Sequence, residues 1–229
     1  MKPKMPVRVV AEFLGTAFLV AVVVGSGIMA ERLSGGNMAL ALLANTMATG
    51  AALVALILTF GPISGAHFNP VVTLSDAIEG GLSWSEATLY AMAQFSGGIS
   101  GVILAHGMFG LHPIFFSHHA RSGPAQILSE FIATFGLLSV IWGCSRSRPS
   151  AVPFAIASYI TAAYWFTAST SFANPAVTVA RSLSDTFAGI RPADVVPFMV
   201  AQIAGGLAAT FAFRWLKPAA SIVSSKSIP

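Results

Sequence analysis

The sequence predicts an all-α membrane protein of six transmembrane helices and two re-entrant half-helices, arranged as an inverted repeat. Three observations carry that prediction. Of the 229 residues, 55% are hydrophobic and only 9% are charged, against roughly a quarter charged in an ordinary soluble protein. Apolar windows of about 20 residues, the length that crosses a hydrocarbon core of about 30 Å, recur six times. The tripeptides Asn69-Pro70-Val71 and Asn174-Pro175-Ala176 stand at matching places in the two halves.

The first window, 9–30, follows Lys2, Lys4 and Arg8 and ends near Ala30. It has the charge pattern of a signal peptide, but its length and the acidic Glu12 make it a retained span. The second window is 39–60. Asn69 then reads as an N-cap, and Pro70 as the first helical residue, where its missing N–H is harmless. The run Val71-Val72-Thr73-Leu74 is apolar enough for membrane depth, and Asp76 ends it before it could span. A half-helix of about ten residues, about 15 Å long, is expected. Window 84–106 completes the first half. The connection 107–125 is the longest without a motif, so the chain has little room for a catalytic domain; neither an enzyme nor a cofactor is expected. Windows 126–144 and 151–169 follow, then a second half-helix behind Asn174-Pro175-Ala176 that Asp185 ends, then window 194–216.

The halves, about 8–106 and 126–216 of a single transmembrane channel domain over 1–229, repeat in sequence. Ala11-Glu12-Phe13-Leu14-Gly15-Thr16 answers Ser129-Glu130-Phe131-Ile132-Ala133-Thr134, and Gln94-Phe95-Ser96-Gly97-Gly98 answers Gln202-Ile203-Ala204-Gly205-Gly206. Three spans per half is an odd number, so the second copy enters the membrane from the side opposite to the first. The two half-helix N-termini therefore meet near the midplane. The loops before them, Ser64 to Phe68 and Thr170 to Ala173, must run without helical hydrogen bonds, which is tolerated only where backbone is protein-buried or lines a watery cavity. Gly97, Gly98, Gly101, Gly205 and Gly206 fit close helix crossings.

The net charge of +4 is read as membrane orientation and not as nucleic-acid binding. Six spans put Lys2, Lys4, Arg8, Arg146, Arg148, Arg214, Lys217 and Lys226 on the side of the termini, with Arg32, Arg121 and Arg191 opposite. The positive-inside rule then places both termini in the cytoplasm of a cell-membrane protein. The single Cys144 excludes an internal disulfide and a cysteine-rich metal site. His112, His118 and His119 have a spacing that allows a weak metal site, with a solvated loop as the alternative. Trp84, Trp142, Trp165 and Trp215, near span ends, suit an interfacial belt.

Together, Ser64-Gly65-Ala66-His67-Phe68-Asn69-Pro70, Asn174-Pro175-Ala176 and the paired Glu12 and Glu130 closely resemble the aquaporin family of major intrinsic proteins, over about residues 8 to 216. The resemblance implies a six-helix bundle with two re-entrant half-helices, assembled as a homotetramer in the lipid bilayer with one pore per protomer. Its permeants are small neutral solutes. Asn69, Pro70, Val71, Asn174, Pro175 and Ala176 would form the pore centre. There the two helix N-termini, each carrying roughly half a positive charge, oppose cations while the Asn amides donate to a passing oxygen. Glu12 and Glu130, ionisable groups inside spans, are read either as acceptors for loop N–H groups or as proton-coupling groups. His67 is a pore-side residue near the cytoplasmic mouth, as a loop-fixing group or a pH gate.

The chain departs from the family pattern just past the second motif, where the usual Arg is Val177. Counting from the motifs puts the other outer-filter positions at Thr49, Ala162 (or its neighbour Ala163) and Ser171. That predicts a wide, weakly polar, uncharged filter without an aromatic wedge. Arg181, one turn on, either returns a positive charge to the pore, anchors loop carbonyls or pairs with an acid. Val71, in place of the usual Ala, adds two methyl groups that need local compensation. Val177-Thr178 resembles the bacterial aquaglyceroporin branch encoded with arsenic-resistance genes, which implies metalloid acids such as arsenite and related arsenicals beside water and polyols such as glycerol. The alternatives are an ordinary glycerol and water facilitator, an ion-coupled secondary transporter, and a closed membrane junction protein.

Overall fold

The structure, a computed structural model, describes residues 3–216. Six long helices, α1 (Met5–Leu33), α2 (Met38–Ser64), α4 (Trp84–Met108), α5 (Pro124–Ser147), α6 (Val152–Phe166) and α8 (Pro192–Trp215), surround two short ones, α3 (Pro70–Ile78) and α7 (Pro175–Arg181). Five of the six are long and apolar enough to cross a membrane. The sixth, α6, has 15 residues, about 22 Å; the 3₁₀ turn Pro149–Ala151 before it adds about 6 Å. The expected window 151–169 overshoots because Thr167 leaves the helix with an extended backbone and starts the second re-entrant loop. Elsewhere the helix ends fall within four residues of their windows, and two starts are fixed by side-chain caps. Asn37 accepts the Leu40 N–H before α2, and Ser83 and Glu86 form a capping box before α4.

The half-helices also differ in length from expectation. α3 has 9 residues and runs past Asp76, whereas α7 has 7 and stops at Arg181, short of Asp185. A charged residue at a watery mouth does not need to end a helix. Arg8 pairs with Glu86 at 2.8 Å, and Arg214 donates to the Ile78 carbonyl and to Glu79. Both described chain ends therefore lie on one face, beside the end of α3. The end of α7 lies on the other face, where Phe115 bridges Ser184. Of the basic residues counted for orientation, Lys2, Lys217 and Lys226 lie outside the described residues.

α1 packs on α2 and α4, α5 on α6 and α8, and α2 on α6. Two of these contacts are backbone to backbone. A Cβ on Gly97 would lie 2.4 Å from the Phe13 carbonyl oxygen, and one on Gly205 would lie 2.3 Å from that of Phe131. The second glycine of each pair receives the opposite half-helix: Gly98 faces the Ala176 carbonyl, and a Cβ on Gly206 would lie 2.2 Å from Val71 Cγ1. The extra methyls of Val71 are thus compensated by the missing side chain at Gly206, and Val71 is directed at α8 instead of the pore.

The re-entrant loops are held by the two glutamates, in the same pattern twice. Glu12 accepts the N–H groups of His67 (3.0 Å) and Phe68 (2.8 Å), with the Ser64 hydroxyl and Gln94 Nε2. Glu130 accepts those of Phe172 and Ala173, both at 2.9 Å, with Gln202 Nε2. Ser64 and Ser169 take the next N–H back, from Ala66 and Ser171. The loops need this support because their backbone is left-handed at non-glycine residues: Ala66 (φ 51°) and Phe68 (50°) in one, Thr170 (60°), Ser171 (52°) and Ala173 (49°) in the other. Each such residue costs of order 1–3 kcal/mol. Both carboxylates are fully buried and surrounded by donors.

Two predictions follow from this packing. Gly206→Ala should lower stability by about 1–3 kcal/mol through overpacking, and Val71→Ala in the same chain should restore it; melting of the purified protein in detergent reads both, and an unrescued double variant would contradict the pairing. Glu12→Ala or Glu130→Ala orphans two buried N–H groups at about 1–3 kcal/mol each. Gel filtration should then show loss of monodisperse protein, with the Gln variants intermediate.

Candidate pore

A cavity of about 260 Å³ runs through the bundle between the two loops, and it has two unlike walls. One is apolar: Leu19, Val23, Leu53, Ile57, Leu137 and Ile160, at helical spacing on α1, α2, α5 and α6. The other comprises Gly65 to Asn69 and Ser171 to Asn174, whose non-helical backbone offers carbonyls. Asn69 and Asn174 stand side by side on this wall where the two loops meet. Each side-chain oxygen caps its own half-helix, accepting from Val71 N and Ala176 N respectively. Each amide nitrogen donates one hydrogen to the opposite loop, Asn69 to Ala173 O and Asn174 to Phe68 O, both at 2.7 Å. That leaves one N–H hydrogen on each amide for a passing oxygen. Pro70, Val71, Pro175 and Ala176 build the half-helix starts behind these amides.

Thr49, Ser171 and Val177 line the cavity as the sequence predicts, but Ala162 does not. Ala162 is exposed on the outside of α6 and Ala163 is buried but does not line the cavity, while Ile160 and Tyr164, one turn apart on one face, do. Tyr164, 3% exposed, has its hydroxyl 3.4 Å from Thr49 Oγ1. An aromatic residue therefore stands where a small one was expected. Ser171 Oγ is buried without a protein partner, so it remains available to a solute.

The charge missing at Val177 returns from one turn further on. Arg181, 2% exposed, lines the cavity, donates to Ala188 O and has its guanidinium 3.4 Å from the Phe172 ring centroid. Its guanidinium thus anchors a carbonyl and borders the cavity at once. At the other end His67 lines the cavity, with Nδ1 3.1 Å from Thr73 Oγ1 and Nε2 4.0 Å from Asp76. Trp142, assigned to the interfacial belt, instead lines the cavity and donates to Thr210 Oγ1.

Sequence reasoning missed Tyr164, Asp76, Phe172 and Arg121. Arg121, from the long connection, reaches the second loop by donating to Gly189 O (2.8 Å), Ser169 O (3.2 Å) and Thr170 Oγ1 (3.5 Å). No periodic signal marks such a residue. The same connection is tied down where the His118 backbone N–H and imidazole hold the Asp185 carboxyl below the ordinary aspartate range. Among the described residues no three His, Cys, Asp or Glu side chains converge on a metal site.

Comparison with known proteins places this geometry. The chain is 53% identical over 221 residues to aquaglyceroporin AqpS of Rhizobium meliloti (strain 1021), covering 96% of this chain and 94% of that protein. It is 29% identical to the probable aquaporin NIP7-1 of Arabidopsis thaliana, over 91% of this chain and 76% of that one. In fold it matches the crystal structure of the aquaglyceroporin from Plasmodium falciparum with a TM-score of 0.67 at 18% identity, over 94% of this chain and 98% of the other. With residues 2–169 matching the family described as major intrinsic protein, this multi-pass membrane chain belongs to the major intrinsic protein family of channels.

Proposed function

We propose that the chain is a passive channel for small uncharged solutes: water, polyols such as glycerol, and metalloid acids such as arsenite. The observation that carries this reading is the pair of amides at mid-cavity, each capping one half-helix and tied to the other loop, between an apolar wall and a carbonyl wall. A polyol or a neutral trihydroxide presents hydroxyls to the carbonyls and amides while its other side meets Leu19, Leu53 and Ile57. An ion meets two converging helix N-termini and loses hydration that the apolar wall cannot replace. An ion-coupled transporter is disfavoured because the donors around Glu12 and Glu130 occupy both carboxylates with loop support.

The metalloid extension rests on Val177, which leaves the space beside Thr49, Ser171 and Tyr164 without a guanidinium at its own position, and on the similarity to an aquaglyceroporin. We place both termini in the cytoplasm by the positive-inside rule, and the family resemblance supports a homotetramer with a pore in each protomer.

Swelling of proteoliposomes in water, glycerol, urea and arsenite tests the reading. Rates above those of empty vesicles, unchanged by proton or sodium gradients, are expected. Flux that collapses with a gradient would point to a coupled transporter, and none for any solute to a closed junction protein. Val177→Arg should reduce glycerol and arsenite flux more than water flux; equal loss of all three would point to misfolding, and no change would place the constriction elsewhere.

A further inference from the structure

The repeat places two further side chains in the cavity at corresponding positions. Asp76 and Arg181 each stand seven residues after a motif asparagine, and both line the cavity. Asp76 also borders the mouth at the face of the termini, with Arg8 and His67, whereas Arg181 sits against Ala188 at the opposite mouth. Their neighbours correspond as well. Two residues before each asparagine stand His67, 4.0 Å from Asp76, and Phe172, against the Arg181 guanidinium.

The surrounding charges leave this opposition in place. Glu12 and Glu130 occupy equivalent positions and add equally to both halves. Arg8 is paired with Glu86 at 2.8 Å. Asp194, which takes the Arg121 backbone N–H, is paired with Arg191 at 2.9 Å. The Arg121 side chain donates to carbonyls and a hydroxyl and lies 5.1 Å from the same Phe172 ring, so it reinforces the positive mouth. His67 shares the Asp76 mouth, with Nε2 4.0 Å from Asp76 and Nδ1 3.1 Å from Thr73 Oγ1.

We propose that Asp76 and Arg181 make the pore charge-polarised, so that each mouth rejects the ion that an inside-negative membrane potential drives into it. Arg181 turns back cations arriving from outside, and Asp76 turns back anions arriving from the cytoplasm. A potential of 100 mV favours such ions roughly fiftyfold, and a fixed charge beside a low-dielectric pore opposes them on the same scale. Neutral solutes feel neither. The proposal rests on the channel reading and on cytoplasmic termini.

The test is potassium and chloride leak at pH 8 in liposomes carrying oriented protein, each normalised to glycerol flux in the same preparation. Arg181→Gln should raise potassium leak roughly tenfold, and Arg181→Lys, which keeps the charge, should hold it near the wild-type ratio. Asp76→Asn should raise chloride leak instead, and Asp76→Lys should raise it further. Potassium and chloride leaks that rise together in each variant, or that do not move, overturn the proposal. If Arg181→Gln yields no folded protein, Asp76, whose side chain is 28% exposed, decides alone: unchanged chloride leak in Asp76→Lys sinks the idea. Wild-type protein that passes no glycerol would overturn the channel reading itself, a result distinct from an ion ratio that fails to shift.

Discussion

Each half of the chain buries one carboxylate whose oxygens collect backbone N–H groups that no helix can use, and the pore depends on this interaction. Unpaired N–H groups at membrane depth cost several kcal/mol each, and the left-handed residues Ala66, Phe68, Ser171 and Ala173 add strain. Charge-assisted bonds from Glu12 and Glu130 are roughly twice as strong as neutral ones, and they fall on the residues next to that strain. With their N–H groups fixed toward the glutamates, the loops leave the Phe68 and Ala173 carbonyls to accept the two asparagine amides. The glutamates are themselves oriented by Gln94 and Gln202, which also donate to Thr73 and Thr178 on the half-helices. One network thus sets the loop, the half-helix and the adjacent long helix in register.

Departures from strict repetition are absorbed locally. Val71 and Ala176 differ by two methyl groups at equivalent positions, and the difference is taken up where Val71 meets Gly206 while Ala176 presents its backbone to Gly98. The pore centre keeps its symmetry because the extra volume is spent on the α8 side. The mouths show the opposite behaviour. His67 and Phe172, and Asp76 and Arg181, differ in kind, and these differences face the solute.

Spans, repeat and motif were legible in the sequence because each is written as a local pattern: hydropathy at membrane length, matched short segments, an Asn-Pro cap. The inward face of α6 was not legible. A helix advances 100° per residue, so an error of two positions between Ala162 and Tyr164 turns a lipid-facing residue into a pore-facing one. No motif sits on α6 to fix that phase, and the window 151–169 concealed where Thr167 breaks away. Asp76 was read as a stop because charge in an apolar run usually marks the membrane edge; α3 carries it to a watery mouth instead. Arg121 lies in a connection without periodicity, so only tertiary structure brings it to Phe172.

The crossed hydrogen bonds at the centre also bear on how the protein is made. Asn69 and Ala173 are 104 residues apart, and Asn174 and Phe68 are 106. The first loop can be threaded into the bilayer early, but the partner for its amide is not yet synthesised. Loop closure over such a separation is slow relative to local helix formation. The first half must therefore wait, with a polar amide unmatched in the membrane, and the centre of the pore cannot close before the second motif has been made.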